Sequence, residues 1–273
     1  MIRNPLAWRQ CRRATREVRR QPSNRSRGHP RAQGGSLLIG SAGLGAMRAH
    51  LLTTAAAAAL LGAMPAHAQD ATWSTAPGSS DFNTASNWTP ATVPTGTAFF
   101  GASNTTLITF QPFITTSIGT LQFNADAPAY VFATPPPLFT SISITGAGIV
   151  NGSSNAPTFI IGNQANIFFR NASNAANATI ITNAGGLTGF VDSATGGNAR
   201  FITNAGGAFD ITSLSSGSMT AGSIEGAGTF SLGSNQLTVG SNNLSTTVSG
   251  VIRGTGGSLV KGRQRDVDAL RHQ

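Results

Sequence analysis

The chain has 273 residues and a formal net charge of +9, because 18 lysine and arginine residues outnumber nine aspartate and glutamate residues. Eleven of the basic residues lie at or before Arg48, and three more lie after Gly262. Residues 69–261 contain four basic and six acidic residues, which gives this part of the chain a net charge of −2. Nucleic-acid binding needs a basic surface for the phosphates, so the composition of 69–261 excludes that class of function.

Two segments precede this part of the chain. Residues 1–46 are rich in arginine and poor in apolar residues. We interpret them as a disordered leader, or as upstream sequence read from a mis-set start with Met47 as the true first residue. The alternative is that they extend the signal peptide that follows.

Residues 47–68 have the order of a secretory signal peptide: a charged start, an apolar helical run from Leu51 to Met64, and the small residues Ala66 and Ala68 of a cleavage site. The run is shorter than the ~20 residues that a membrane-spanning helix needs. The segment therefore predicts export, with cleavage directly after Ala68. A buried alanine-rich helix is the alternative interpretation.

From Gln69 onward the sequence is typical of strands and turns. Short alternating runs of β-branched and aromatic residues recur, for example at 98–100, 107–110 and 158–161, and glycine, asparagine and serine separate them. No sustained helical periodicity follows Ala68. The pattern predicts an all-β chain over 69–261.

The first of these strands lie in a turn-rich segment, 71–100, that contains Trp73 and Trp88. A stack of repeats needs an atypical end that covers its first turn, and we interpret the two indoles as that cap. The alternative is a sugar-binding site, because aromatic faces also stack on sugars. Further on, Pro135–Pro137 interrupts the strand pattern and predicts a loop leaving one coil.

Two nearly identical segments, 176–186 (ANATIITNAGG) and 197–207 (GNARFITNAGG), lie 21 residues apart. A fixed period of this size is typical of stacked repeats, and 21 residues suffice for about three short strands whose successive turns lie ~4.8 Å apart. Apolar residues recur near the same spacing elsewhere: Ile118, Ile142, Ile161, Ile181, Ile202, Ile224 and Leu244.

Polar residues repeat at the same offset, Asn183 with Asn204 and Thr182 with Thr203. Stacked identical polar side chains form hydrogen-bonded ladders in such architectures. We therefore predict an asparagine ladder and a threonine ladder along the stack.

The most specific pattern lies at 221–261: AGSIEGAGTF at 221–230, LTVGSNNLSTTVSGVI at 237–252 and GTGGSLVK at 254–261. It resembles the β-strand repeats of bacterial autotransporter passenger domains, and the likeness extends more loosely over most of 71–261. The resemblance implies a right-handed parallel β-helix with a coil period of about 21 residues, displayed at the cell surface. Members of the family normally continue into further repeats and a transmembrane β-barrel, which this chain lacks.

The tail, 262–273, changes abruptly in composition and carries five charges in twelve residues. One possible coding sequence for it, read one base later, encodes AGSGTLTLSGT, which matches the expected next repeat. We therefore expect a frameshift after Lys261 that separates the passenger from its remaining repeats and its barrel, so that any membrane attachment depends on a barrel missing from this chain.

No constellation of catalytic residues is evident in 69–261. All histidines and the single cysteine lie outside it: Cys11, His29, His50, His67 and His272. Their absence excludes Ser-His and Cys-His nucleophile pairs and the usual zinc sites. The carboxylates are scattered, since Asp192 and Asp210 lie 18 residues apart and off the period, whereas a glycosidase needs a pair.

We therefore predict no catalytic, cofactor-binding or metal site. The sequence favours a secreted or surface-displayed passenger fragment with a structural or adhesive role, whose partners are glycans or proteins on host or environmental surfaces. The alternatives are a carbohydrate-active enzyme on the same fold, and a truncated product without function.

Overall fold

A computed structural model describes residues 68–134 and 139–262. The leader, the signal peptide apart from Ala68, Pro135–Pro137 and the tail after Gly262 lie outside the described residues, so the predictions made for them stay predictions. The described residues form strands and turns with almost no helix, apart from a single 3-10 turn at Ala85–Asn87. No helix among them is long and apolar enough to cross a membrane.

The strands are short, most of them three to five residues. In chain order they are β1 Ala71–Trp73, β2 Trp88–Thr89, β3 Thr97–Phe100, β4 Leu107–Thr109, β5 Thr115–Phe123, β6 Val131–Ala133, β7 Thr140–Asn151, β8 Thr158–Ile161, β9 Ala165–Phe169, β10 Thr179–Thr182, β11 Leu187–Asp192, β12 Arg200–Thr203, β13 Ala208–Leu214, β14 Ser218–Ala221, β15 Ser223–Glu225, β16 Thr229–Ser231, β17 Gln236–Val239, β18 Val251–Arg253 and β19 Ser258–Lys261.

These strands stack as a parallel β-solenoid of about seven turns with a period of about 22 residues. The predicted parallel β-helix is therefore confirmed. One wall is the six-stranded sheet β4-β6-β8-β10-β12-β15. A ten-stranded sheet has the order β18-β16-β13-β11-β9-β7-β5-β3-β1-β2 and forms the second wall. The long strands β5 and β7 bend, so that this sheet also forms the first part of a third wall. The three-stranded sheet β14-β17-β19 continues the third wall.

The repeated segments lie directly over one another, as their 21-residue offset predicts. Thr179 pairs with Arg200 and Thr182 with Thr203 in an unbroken parallel register between β10 and β12. Earlier turns are longer: Val131 of β6 pairs with Thr158 of β8. The additional residues enter at corners and loops, so the walls keep their register while the loops vary.

The core is a column of aromatic and β-branched side chains that point inward from all three walls. Aromatic rings stack along it, as between Phe132 and Phe159, whose centroids are 4.7 Å apart, and between Phe169 and Phe190, at 4.9 Å. Each such ring is essentially fully buried. Burial of a large apolar side chain contributes roughly 1.5–3 kcal/mol, so the column provides the main stabilisation of strands too short to be stable alone.

The isoleucines that recur near the 21-residue spacing do not form one column. Ile181 and Ile202 pair in register but face outward and are half-buried, whereas Ile180 and Phe201 beside them are buried. Leu244 is 47% exposed. Because β10 and β12 are apolar on both faces, their sequence does not reveal which face points to the core.

Of the two predicted polar ladders, one forms. Asn204 Nδ2 donates to Asn183 Oδ1 at 2.8 Å on the exterior. Thr182 and Thr203 point into the core instead. The Thr182 hydroxyl bonds to that of Thr188 at 2.6 Å, while Thr203 Oγ1 has no hydrogen-bond partner.

The N-terminal end of the stack is closed. Strand β2 pairs antiparallel with β1 and forms the outer edge of the ten-stranded sheet. Trp73 and Trp88 are buried in an edge-to-face contact with centroids 5.0 Å apart. Their indole N–H groups donate to the carbonyl oxygens of Thr105 and Phe82, at 3.0 and 2.7 Å. The two tryptophans thus have the contacts of an end cap, and neither ring offers a free face to a sugar.

Candidate functional site

The corner that leads from the six-stranded wall to the wall of β9, β11 and β13 has the same backbone shape in successive turns. In the two regular turns the residue at this corner with a left-handed backbone conformation is a glycine: Gly185 and Gly206 have φ angles of +74° and +78°. The Gly185 N–H donates to the Gly206 carbonyl at 2.9 Å. A left-handed φ is easy for glycine and costs other residues roughly 1–2 kcal/mol.

One turn earlier, Gln164 occupies the corresponding position of this corner. Its N–H donates to the Gly185 carbonyl at 3.0 Å, and its φ is +59°. Phe113, at the same corner two turns before Gln164, has a φ of +60°. Both residues therefore keep a side chain where the regular repeat has none, at a backbone conformation that disfavours it. Residues held in such conformations cluster at functional sites.

Two of the corner segments, the one with Phe113 and the one that ends at Phe139, are longer than those of the regular turns, whereas the one with Gln164 has three residues, 162–164. The chain between β4 and β5 has five residues, 110–114, and that between β6 and β7 has six, 134–139, whereas 183–186 and 204–207 have four each. In repeat proteins such insertions fall on one face, which is often the binding face.

Each of the two long loops presents a phenylalanine to solvent. Phe113 is 68% exposed and Phe139 is 65% exposed. The Phe113 N–H donates to the Phe139 carbonyl at 2.6 Å, which holds these two residues side by side. Two exposed phenylalanines on neighbouring turns are not needed for packing, so they are candidates for contact with another molecule.

Beside Phe113 and Phe139 lies a cleft of about 200 Å³. It is lined by Phe113, Ile114, Thr115, Phe139, Thr140, Ser141, Gln164 and Asn166. We call it the corner cleft. All eight residues are uncharged, and its walls combine aromatic rings with hydroxyl and amide groups.

Four polar side chains of the corner cleft make no hydrogen bond to the described part of the chain: Thr115, Ser141, Gln164 and Asn166. Asn166 Oδ1 is moreover buried there without a partner, and such an acceptor costs roughly 1–3 kcal/mol when it stays unsatisfied. Some other surface amides and hydroxyls do bond to each other, as Asn83 does to Thr116. The cleft therefore holds hydrogen-bonding capacity that the fold does not use.

Beside the corner cleft, on the outer face of β9, the guanidinium carbon of Arg170 lies 4.9 Å from the centroid of the Phe168 ring. Arg170 Nε also donates to the Ser143 hydroxyl at 3.1 Å. Arg170 is thus in contact with an aromatic face and a hydroxyl, and it is not among the residues that line the cleft.

A second cavity, of about 210 Å³, lies inside the last described turn. Its apolar lining comes from Ile224, Val239, Leu244, Ile252 and Leu259. Within the described residues no turn lies above the inward-facing side chains of this one, and Ile252 and Leu259 are partly exposed although they pair with the buried Phe230 and Leu237. The cavity therefore lies at the end of the described core and differs in kind from the corner cleft.

The carboxylates predicted to be scattered have structural contacts of their own. Asp81 accepts hydrogen bonds from the Asn83 N–H and the Thr84 hydroxyl. Asp210 accepts two from Thr212. Among residues 68–134 and 139–262, no group of three His, Cys, Asp or Glu side chains lies close enough together to hold a metal ion.

One titratable group with a shifted pKa is Tyr130, which is buried beside the aromatic core. Burial raises the pKa of its phenol to about 12, and the charge of Asp126 adds to the rise while a hydrogen bond with Ser103 opposes it. The hydroxyl donates to the Gly101 carbonyl at 2.8 Å. A phenol held neutral in this way anchors a loop, and we assign it no chemical role.

Comparisons of the chain with models of known protein families, with curated proteins and with solved structures return no match.

Proposed function

We propose that this chain is a secreted or surface-displayed β-helical passenger fragment of the autotransporter type, with a structural or adhesive role and without a catalytic site. The observation that carries the proposal is the corner cleft, where exposed aromatic rings and unused polar groups lie side by side on a rigid wall. Such a surface is suited to binding, because the backbone walls hold its side chains in place.

Weak binding at one cleft suffices for adhesion. A small uncharged contact of this size typically has a millimolar dissociation constant, which corresponds to about −4 kcal/mol. Many copies displayed on one cell raise the overall avidity by roughly 10²–10⁴ without any new contact. A solenoid that holds the cleft away from the cell body favours such multivalent contact.

Export is tested by expressing the full chain in a Gram-negative host and fractionating the cells. We expect the processed protein outside the cytoplasm, with Gln69 as its first residue. Replacement of Ala68 by Phe removes the small residue at the predicted cleavage site and is expected to leave the precursor uncleaved. A chain that stays in the cytoplasm with its N-terminus intact would contradict the proposal.

Adhesion is tested with the purified full chain coupled to fluorescent beads. We expect the beads to adhere to polysaccharide- or cell-coated surfaces at a coupling density that gives no adhesion for beads carrying serum albumin. The same preparation, incubated with those polysaccharides, is expected to release no reducing ends. Turnover of any of them would instead favour the enzyme alternative.

A further inference from the structure

The geometry points to a neutral sugar residue, the hexopyranose unit of an uncharged glycan, as the ligand of the corner cleft. This inference rests on the proposed binding function and names the ligand class of the same site. It is carried by the shape, the charge and the unused hydrogen-bonding groups of the cleft.

The size of the cleft suits a single ring. A cavity of about 150 Å³ holds a benzene ring, and the cleft, which is open to solvent, measures about 200 Å³. A protein partner, in contrast, needs an interface of roughly 1,000 Å² or more for a specific complex. The compact cleft therefore favours one ring-shaped unit over an extended protein surface.

The two kinds of side chain in the cleft match the two faces of a sugar. The C–H faces of a hexopyranose are apolar and stack on aromatic rings such as Phe113 and Phe139. Its hydroxyls are donors as well as acceptors, and they can pair with the amides of Gln164 and Asn166.

The absence of charge in the lining selects against charged ligands. An acidic sugar would lose hydration at its carboxylate and find no cation in the cleft to replace it. Arg170 is engaged by Phe168 and Ser143. We therefore expect neutral hexoses to bind in preference to uronic acids.

The backbone of the corner supplies an unusual test. Glycine at position 113 or 164 fits the left-handed φ better than the residue present. The substitutions Phe113→Gly and Gln164→Gly therefore convert the corner to the form of the regular turns and remove only the side chain. A loss of binding in these variants cannot be attributed to misfolding when their far-UV circular dichroism and thermal midpoints match those of the unsubstituted chain.

The experiment measures binding of cellohexaose, mannohexaose, maltohexaose and, as the acidic probe, hexagalacturonate to the full chain by saturation-transfer NMR and calorimetry. We expect at least one neutral hexaose to bind with a millimolar dissociation constant and hexagalacturonate to bind at least tenfold more weakly. Phe113→Gly and Phe139→Ala are each expected to weaken binding at least tenfold. The matched control, Leu107→Ala, removes a side chain that is 50% exposed on another wall and is expected to leave binding unchanged.

The inference is overturned when no neutral hexaose binds at 10 mM, when hexagalacturonate binds as well as the neutral sugars, or when Phe113→Gly binds like the unsubstituted chain. These results are separable from failure of the proposed function, because bead adhesion is measured on the same variants. Suppose that no hexaose binds, but that Phe113→Gly weakens adhesion of the beads to protein-coated surfaces. The adhesive function then stands, and the sugar is overturned as the ligand. If the chain binds a neutral hexaose but is not exported, the sugar stands as the ligand of the cleft and the proposed role as an exported adhesin is overturned.

Discussion

Replacing Thr182 and Thr203 by valine, one at a time, is expected to change stability in opposite directions. The two residues are related by the 21-residue repeat and pair in register, and both are 1% exposed. Thr182 shares a hydrogen bond of 2.6 Å with Thr188. The position of Thr188 is taken by Phe209 in the next turn, so the hydroxyl of Thr203 has no partner.

The magnitudes follow from the cost of a buried hydroxyl. An unsatisfied one costs about 1–3 kcal/mol. Valine at 203 replaces it with a methyl group of the same shape and is expected to raise the free energy of unfolding by about 1 kcal/mol. Valine at 182 removes a hydrogen bond and leaves the Thr188 hydroxyl unpaired, so it is expected to lower that free energy by about 1 kcal/mol.

The assay is urea and thermal denaturation of the full chain followed by far-UV circular dichroism. A gap of about 2 kcal/mol between the variants corresponds to midpoints about 4–8 °C apart for a domain of this size. The urea dependence of the unfolding free energy should stay the same in all three proteins, since the surface exposed on unfolding does not change. A Thr203→Val variant that is less stable than the unsubstituted chain would refute the reasoning about the unpartnered hydroxyl.

Two further predictions concern charge. The chain has a single tyrosine, so absorbance at 295 nm reports on Tyr130 alone: we expect ionisation near pH 12 in the folded protein and near pH 10 in urea. Because the folded pKa is the higher one, this phenol contributes stability that is complete below about pH 10 and is lost as the pH rises toward 12; a folded-state midpoint near 10 would show that the ring is not buried. Glu225→Gln removes the 2.5 Å ion pair with the partly exposed Arg200 and should cost less than about 1 kcal/mol in dilute buffer. The effect should shrink in 1 M NaCl, and a loss that persists at high salt would mean that the pair is not screened by solvent.

The sequence predicted the repeat period well because two copies are nearly identical in sequence. Their offset determines which residues lie over one another, and β10 and β12 pair as that offset requires. The sequence did not show which face of β10 and β12 points to the core. Ile181 and Ile202 place apolar side chains on the outer face of these strands as well as on the inner one. The asparagine ladder was predictable from spacing alone because it needs only an outward position.

The corner cleft was not predicted, and the reason is physical. Phe113 and Phe139 lie in turns whose lengths depart from the period, so spacing does not relate them to the glycines of the regular turns. Their relation emerges only through hydrogen bonds such as that between Gln164 and Gly185. The sequence did contain one signal, since Phe113 and Phe139 are large apolar residues in segments that lie between strands. That signal does not show that the two residues lie on neighbouring turns, because this depends on the three-dimensional register.

The distribution of aromatic residues along the core has a consequence for anyone who follows unfolding by fluorescence. Trp73, Trp88 and Tyr130 all lie in the first turns, within a group of rings that ends at Phe159. The later group, from Phe169 to Phe230, contains only phenylalanine. Because a solenoid is held by contacts between neighbouring turns, its two ends can open separately, and the emission of Trp73 and Trp88 would report only on the end where they lie. A spectrum that still looks native would then be compatible with a C-terminal half that has already unravelled.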